Sequence, residues 1–132
     1  MLDESVMRRK DLQKCYDKIV KQCKKQGVKS TSATIIEQAI NSEAPGYYIT
    51  YDYALRLLRQ YRRRKLPRNY STLKRDMITE IARKVNKLME SQQGYTEGEA
   101  LAMVLAGGNA SRFFISPISA RRIIKNNNLH TT

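Results

Sequence analysis

Between Arg56 and Arg75 the chain reads "RLLRQYRRRKLPRNYSTLKR", nine lysines and arginines without one acidic residue. A guanidinium is a permanent cation with five N–H donors in a fixed fork, and what it does best is hold phosphate or carboxylate oxygens. On a helix, Arg56, Arg59 and Arg63, with Gln60, fall opposite the apolar stripe Ala54, Leu57, Leu58 and Tyr61. Arg62, Arg64, Lys65 and Arg68 carry the charge to and past Pro67, and Lys74 and Arg75 close the run. Tyr61 and Tyr70 interleave aromatic rings with the cations. Nine like charges repel one another, and a polyanion relieves that repulsion while releasing its own counterions. A linker kept polar only for solubility mixes signs. Arg121, Arg122 and Lys125 form a second basic patch near the other end of the sequence.

Residues suited to catalysis do not assemble in the sequence. The single histidine, His130, lies in the polar tail "NNNLHTT", which is expected to fray. There is no metal-ligand spacing and no glycine-rich phosphate loop. "AGGNAS" at 106–111 follows a helical pattern and reads as a helix end and loop. Asp76, Glu80, Glu97 and Glu99 are scattered helix-surface acids. Cys15 and Cys23 stand eight apart, neither a redox pair nor a disulfide framework, and read as small core hydrophobes in a reducing compartment. The expectation is a non-enzymatic protein with no cofactor and no metal.

The charge extends beyond the run. The 132 residues hold 25 Lys and Arg against 12 Asp and Glu, a net charge of +13. Residues 1–66 carry 15 basic and 7 acidic side chains, and residues 67–132 carry 10 and 5. Such an excess favours polyanionic partners and says nothing of fold. No apolar stretch is long enough to span a membrane. The opening "MLDESVMRRK" has early acids and no apolar core, so no secretory signal is expected.

The elements that must position these cations occur twice. At an offset of 66, without a gap, residues 44–59 match 110–125. Ala44 pairs with Ala110, Ile49 with Ile115, Ala54 with Ala120 and Arg56 with Arg122, while Tyr47 and Tyr48 become Phe113 and Phe114. Each copy reads as three helices. The first has apolar positions at 12, 15, 16, 19, 20 and 23, or 77, 78, 81, 85, 88 and 89, with Gly27 and Gly94 as stops. The second starts after Ser30–Ser32, or at Thr96, where Glu99 completes a capping box. The third follows a short extended aromatic segment and is capped by Thr50 or Ser116, with Pro117 at the first helical position. Tyr47, Tyr48, Phe113 and Phe114 read as core anchors first, with base-stacking platforms as the alternative.

The fold class expected is therefore all-α: a tandem duplication of a three-helix, helix-turn-helix-like unit. Repeat 1 spans 1–66 and repeat 2 spans 67–132, the two sharing a core because about 66 residues alone are marginal. The connection at 42–49 is longer than a helix-turn-helix turn.

The phrases "APGYYITYDYALRLL" and "ASRFFISPISARRII" share a form: Ala, a short gap, two aromatics, Ile, Ser or Thr, then Ala and basic residues. This form resembles a phrase in small uncharacterised basic proteins of bacteriophages and mobile elements of Bacteroides-type gut bacteria. The resemblance implies the host bacterial cytoplasm or a virion as the setting and transfers no functional residue.

The leading expectation is binding of nucleic acid, with double-stranded DNA favoured over RNA, mainly through phosphates. The contacts would be Arg56, Arg59, Arg62, Arg63, Arg64, Lys65, Arg68, Lys74, Arg75, Arg121, Arg122 and Lys125. The alternatives are a virion structural or assembly protein whose basic face meets genome or phage structural proteins, and an adaptor for an acidic protein. No membrane partner is expected, and the oligomeric state stays open.

Overall fold

Thr31, Thr50, Ser71 and Thr96 each accept a hydrogen bond from the backbone N–H three residues on, and each opens a helix. Ser116 does the same for Ser119 N–H at 3.2 Å, ahead of Pro117. In the computed structural model, whose described residues are 4–130 with side chains to Asn128, the helices are α1 (Glu4–Gln26), α2 (Ser32–Ile40), α3 (Tyr51–Arg62), α4 (Thr72–Met89), α5 (Glu97–Gly107) and α6 (Pro117–His130). The protein is all-α, with no strand among the described residues beyond one isolated bridge. The Thr96–Glu99 capping box is formed in both directions, at 3.0 and 3.2 Å. The Thr96 N–H it accepts holds the Glu99 carboxyl below its ordinary range.

Helix ends depart from expectation in two places. Gly27 (φ 66°) closes α1 as expected, with Val28 N–H on Cys23 C=O at 2.9 Å. Gly94 does not close α4, which ends at Met89 with Glu90 as its cap. Ser91 captures the Leu88 carbonyl through both its N–H and its hydroxyl, and that competing bond ends the ladder early. At the other end of the sequence, the "NNNLH" stretch expected to fray is the last part of α6. Asn127 Nδ2 donates to Gln13 Oε1 at 3.1 Å, which ties that stretch to α1. The His130 side chain and residues 131–132 lie outside the described residues.

The helices divide into two compact units, and the division does not follow 1–66 and 67–132. One unit runs to Tyr48 and resumes at Ala110, so it contains α1, α2 and α6; its core is Leu12, Ile35, Ile36, Ala39, Ile40, Phe113, Ile115, Ala120 and Ile124, with Tyr47. The other, Ile49–Asn109, contains α3, α4 and α5 around Ala54, Leu57, Leu58, Ile78, Ile81, Ala82, Val85, Ala100, Leu101 and Val104. Each third helix therefore packs in the unit of the other copy's first two helices. The helix-turn-helix expectation is corrected with it: α2 and α3 are consecutive in the chain but belong to different units.

The cause lies in the aromatic segments. Ala44 and Ala110 exchange N–H···O=C bonds at 3.0 and 2.9 Å, and Phe113 N–H reaches Ile40 C=O at 3.0 Å. Tyr47 stacks on Phe114 (6.3 Å between centroids) and Tyr48 on Phe113 (6.1 Å). Tyr48 (φ 56°) and Phe114 (φ 52°) adopt the left-handed region, so the segments expected to be extended are sharply bent. For an L side chain that conformation costs about 1–2 kcal/mol. Burial of Tyr47 and Phe113 and the paired stacking offset it.

Candidate nucleic-acid interface

The stripe Ala54, Leu57 and Leu58 is fully buried, and this fixes which side of α3 faces water. Arg56, Arg59 and Arg63 are exposed together on the opposite face. With Asp52, Leu55, Gln60 and Lys65 they line an open depression. Asp52 sits in the first turn, where an acid complements the helix N-terminus. Gln60 is half-buried, and its Oε1 has no hydrogen-bond partner among the described residues. The Arg56 guanidinium rests 4.9 Å from the centre of the Tyr53 ring and forms no ion pair among the described residues.

The C-terminus of α3 turns the charge around the helix end. Lys65 N–H bonds to Gln60 C=O at 2.8 Å and Arg64 N–H to Tyr61 C=O at 3.0 Å, which is a Schellman turn. Its left-handed residue is Arg64 (φ 56°), where α1 uses Gly27 for the same task. An arginine there is strained, and the turn leaves Arg63, Arg64 and Lys65 exposed in succession. Arg68 is exposed in the following loop.

Three other cations of the run serve the fold of their own unit. Arg62 forms an ion pair through Nε with Glu97 and donates through Nη2 to Asn86 Oδ1 at 2.6 Å, so it ties α3 to α5 and α4. Lys74 donates to the Tyr53 hydroxyl at 2.7 Å and lies 4.3 Å from the centre of the Tyr70 ring. Arg75 donates to the Pro67 and Tyr70 carbonyls and so clamps the loop before its own helix. Of the nine, Arg56, Arg59, Arg63, Arg64, Lys65 and Arg68 remain exposed, with no carboxylate partner among the described residues.

The second patch belongs to the other unit. Arg121, Arg122 and Lys125 are exposed on α6, away from the buried Ala120 and Ile124. At the offset of 66 they match Leu55, Arg56 and Arg59 of α3. The aromatic pairs take the anchoring role: Tyr47 and Phe113 are buried, while Tyr48 and Phe114 are half-buried against them. The Tyr48 hydroxyl donates to Asp11 Oδ2 at 2.7 Å. Burial, then that hydrogen bond, pushes the Tyr48 phenol well above its ordinary pKa. Burial also lowers the pKa of nearby Arg8, whose buried Nε has no partner among the described residues.

None of the twelve expected phosphate-binding residues lies on α1, yet its Lys10, Lys14, Lys18, Lys21 and Lys25 are all exposed. Their spacing of four, four, three and four is the signal of one helix face. The apolar positions of α1 reveal the helix but not this face, because the lysines are spread over four turns and interleaved with acids rather than gathered in a run.

Among the described residues, no group of three or more His, Cys, Asp or Glu side chains could hold a metal ion, and no helix is long and apolar enough to cross a membrane. Cys15 and Cys23 are free and half-buried. Comparison with protein-family models, curated proteins and solved structures finds no match.

Proposed function

We propose that the protein is a non-enzymatic nucleic-acid-binding protein that holds double-stranded DNA mainly by its phosphates. The observation that carries this reading is the set of six exposed cations, with no ion pair among the described residues, on the outer face and terminal turn of α3 and the loop after it. Five of the six are arginines, the side chain best matched to phosphate oxygens. Strain retained at Arg64 supports it further, since glycine would close the same turn more comfortably. Phosphate-directed binding sets register and affinity and carries little sequence information, so weak specificity is part of the proposal. Arg121, Arg122 and Lys125, in the other unit, are a separate patch of the same phosphate-binding chemistry. The setting implied by the sequence resemblance, a host bacterial cytoplasm or a phage particle, belongs to the proposal as well.

The test is binding to duplex DNA, duplex RNA and single-stranded DNA across a salt series. Duplex DNA is expected to bind tightest. Its log K should fall linearly with log salt, with a slope of up to about 5 for six neutralised phosphates at about 0.9 each. Absence of duplex binding at low salt, or binding indifferent to salt, contradicts the reading and favours an acidic protein partner.

A further inference from the structure

The most regular charged surface of the chain is the one on α1. Lys10, Lys14, Lys18, Lys21 and Lys25 are all exposed and lie within an arc of about 80° on a helix of about 100° per residue. At about 1.5 Å rise per residue they form a line about 22 Å long. The opposite side of α1 is spent on the core: Leu12 is buried and Cys15, Tyr16, Ile19, Val20 and Cys23 are half-buried. The acids of the helix, Glu4, Asp11 and Asp17, offset only part of that charge. Asp11 accepts from the Tyr48 hydroxyl, and Asp17, at the edge of the stripe, accepts from Gln13 Nε2 at 2.9 Å. None of the five lysines forms an ion pair among the described residues.

We propose that this stripe is a second polyanion-docking surface, and that its partner is the phosphate backbone of a nucleic-acid segment separate from the one held by α3. The proposal rests on the nucleic-acid reading of the α3 face. A straight row of point charges, each on a flexible stem with rotatable donors, fits a linear polyanion whose phosphates recur at regular intervals. A lipid surface fits less well, because α1 has no apolar face left to insert. The stripe belongs to the unit of α1, α2 and α6, and the arginine face to the unit of α3, α4 and α5. Each unit thus carries its own cationic helix face, and the chain holds two segments at once.

The experiment is duplex capture with the full chain. A biotinylated DNA duplex is immobilised, protein is added, and capture of a second, fluorescent duplex is read beside single-duplex affinity and helical circular dichroism. Wild type should capture the second duplex. The variant Lys10→Gln, Lys14→Gln, Lys18→Gln, Lys21→Gln, Lys25→Gln keeps helix propensity nearly constant. It should still bind one duplex through α3, yet lose capture at least about tenfold, since that unit then keeps only Arg121, Arg122 and Lys125 of its exposed phosphate-directed cations and capture needs a strong face on each unit. A milder Lys14→Gln, Lys18→Gln, Lys21→Gln variant should lose part of it, which guards against misfolding of the first. Arg56→Gln, Arg59→Gln, Arg63→Gln should also lose capture while retaining single-duplex binding through α1. Wild-type capture by the five-lysine variant overturns the proposal, as does a wild type that binds one duplex and never captures another. If wild type binds no duplex at all, the reading of the α3 face fails and this inference goes with it. Loss of binding to phosphatidylserine vesicles, with duplex capture intact, would assign the stripe to lipid and overturn it too.

Discussion

Ala44 and Ala110, 66 residues apart and matched in the internal repeat, donate their N–H groups to each other's carbonyls at 3.0 and 2.9 Å. Around this reciprocal pair the aromatics exchange in the same sense: Tyr47 meets Phe114, and Tyr48 meets Phe113. The arrangement makes each compact unit depend on both halves of the sequence.

Cutting the chain between Leu66 and Pro67 tests that dependence. Fragment 1–66 has α1 and α2 without α6, and α3 without α4 and α5. Each fragment alone should show reduced helicity and no cooperative melt. Mixed in equal amounts, the two should recover the helical signal of the intact chain. A circular dichroism spectrum of the mixture equal to the sum of the separate fragments contradicts the exchanged packing.

Arg64→Gly should move stability and binding in opposite directions. Glycine relieves a left-handed cost of about 1–2 kcal/mol and gives back about 0.5–1 kcal/mol in chain entropy, so the fold should gain about 0.5–1 kcal/mol. Duplex affinity should fall, because the variant has one cation fewer. Denaturant titration and duplex binding measure the two. A destabilised variant, or one with unchanged affinity, counts against the Schellman assignment or the phosphate role respectively.

Arg62 and Arg63 are adjacent but should behave differently. Arg62→Ala breaks a partly exposed ion pair with Glu97 and the bond to Asn86, and should lower stability by about 1 kcal/mol, with little change in salt slope. Arg63→Ala should leave the melting temperature nearly unchanged and flatten the slope. A double-mutant cycle of Arg62→Ala with Glu97→Ala isolates the pair. Equal effects of both arginines on the salt slope contradict the division of roles.

Which helix packs on which was not legible, although the helices themselves were. Caps at Thr50, Thr96 and Ser116 and the three- and four-residue apolar spacing are local signals, and the helices follow them closely. The stripe Ala54–Leu57–Leu58 looks the same whether it packs on α1 and α2 or on α4 and α5. The choice is made by the Ala44–Ala110 pair and the bends at Tyr48 and Phe114, where bulky residues take a conformation their type disfavours. The cation cluster was legible from charge alone. The tied roles of Arg62, Lys74 and Arg75 were not, because their partners Glu97, Tyr53 and the Pro67 carbonyl come close only after folding.

Alkaline pH offers a probe of the Tyr48–Asp11 bond. Burial and the hydrogen bond raise the Tyr48 pKa in the folded state, while the unfolded phenol titrates near about 10. The neutral phenol is therefore favoured by folding. Its contribution is full below about pH 10 and is lost as pH climbs toward the raised folded value. Tyr48→Phe mimics the matching Phe114, should cost about 1 kcal/mol at neutral pH, and should remove part of the stability loss above about pH 10. An alkaline stability profile identical in the two proteins contradicts this.

The measurement closest to the central claim is the salt dependence of duplex affinity for wild type against Arg56→Ala, Arg59→Ala, Arg63→Ala. These side chains are exposed and pair with no carboxylate among the described residues, so the melting temperature should hold. The slope of log K against log salt should fall by up to about 0.9 for each phosphate no longer neutralised, about 2.7 in all, and by the same amount on unrelated sequences. A variant with wild-type affinity and slope would show that the outer face of α3 does not hold phosphates.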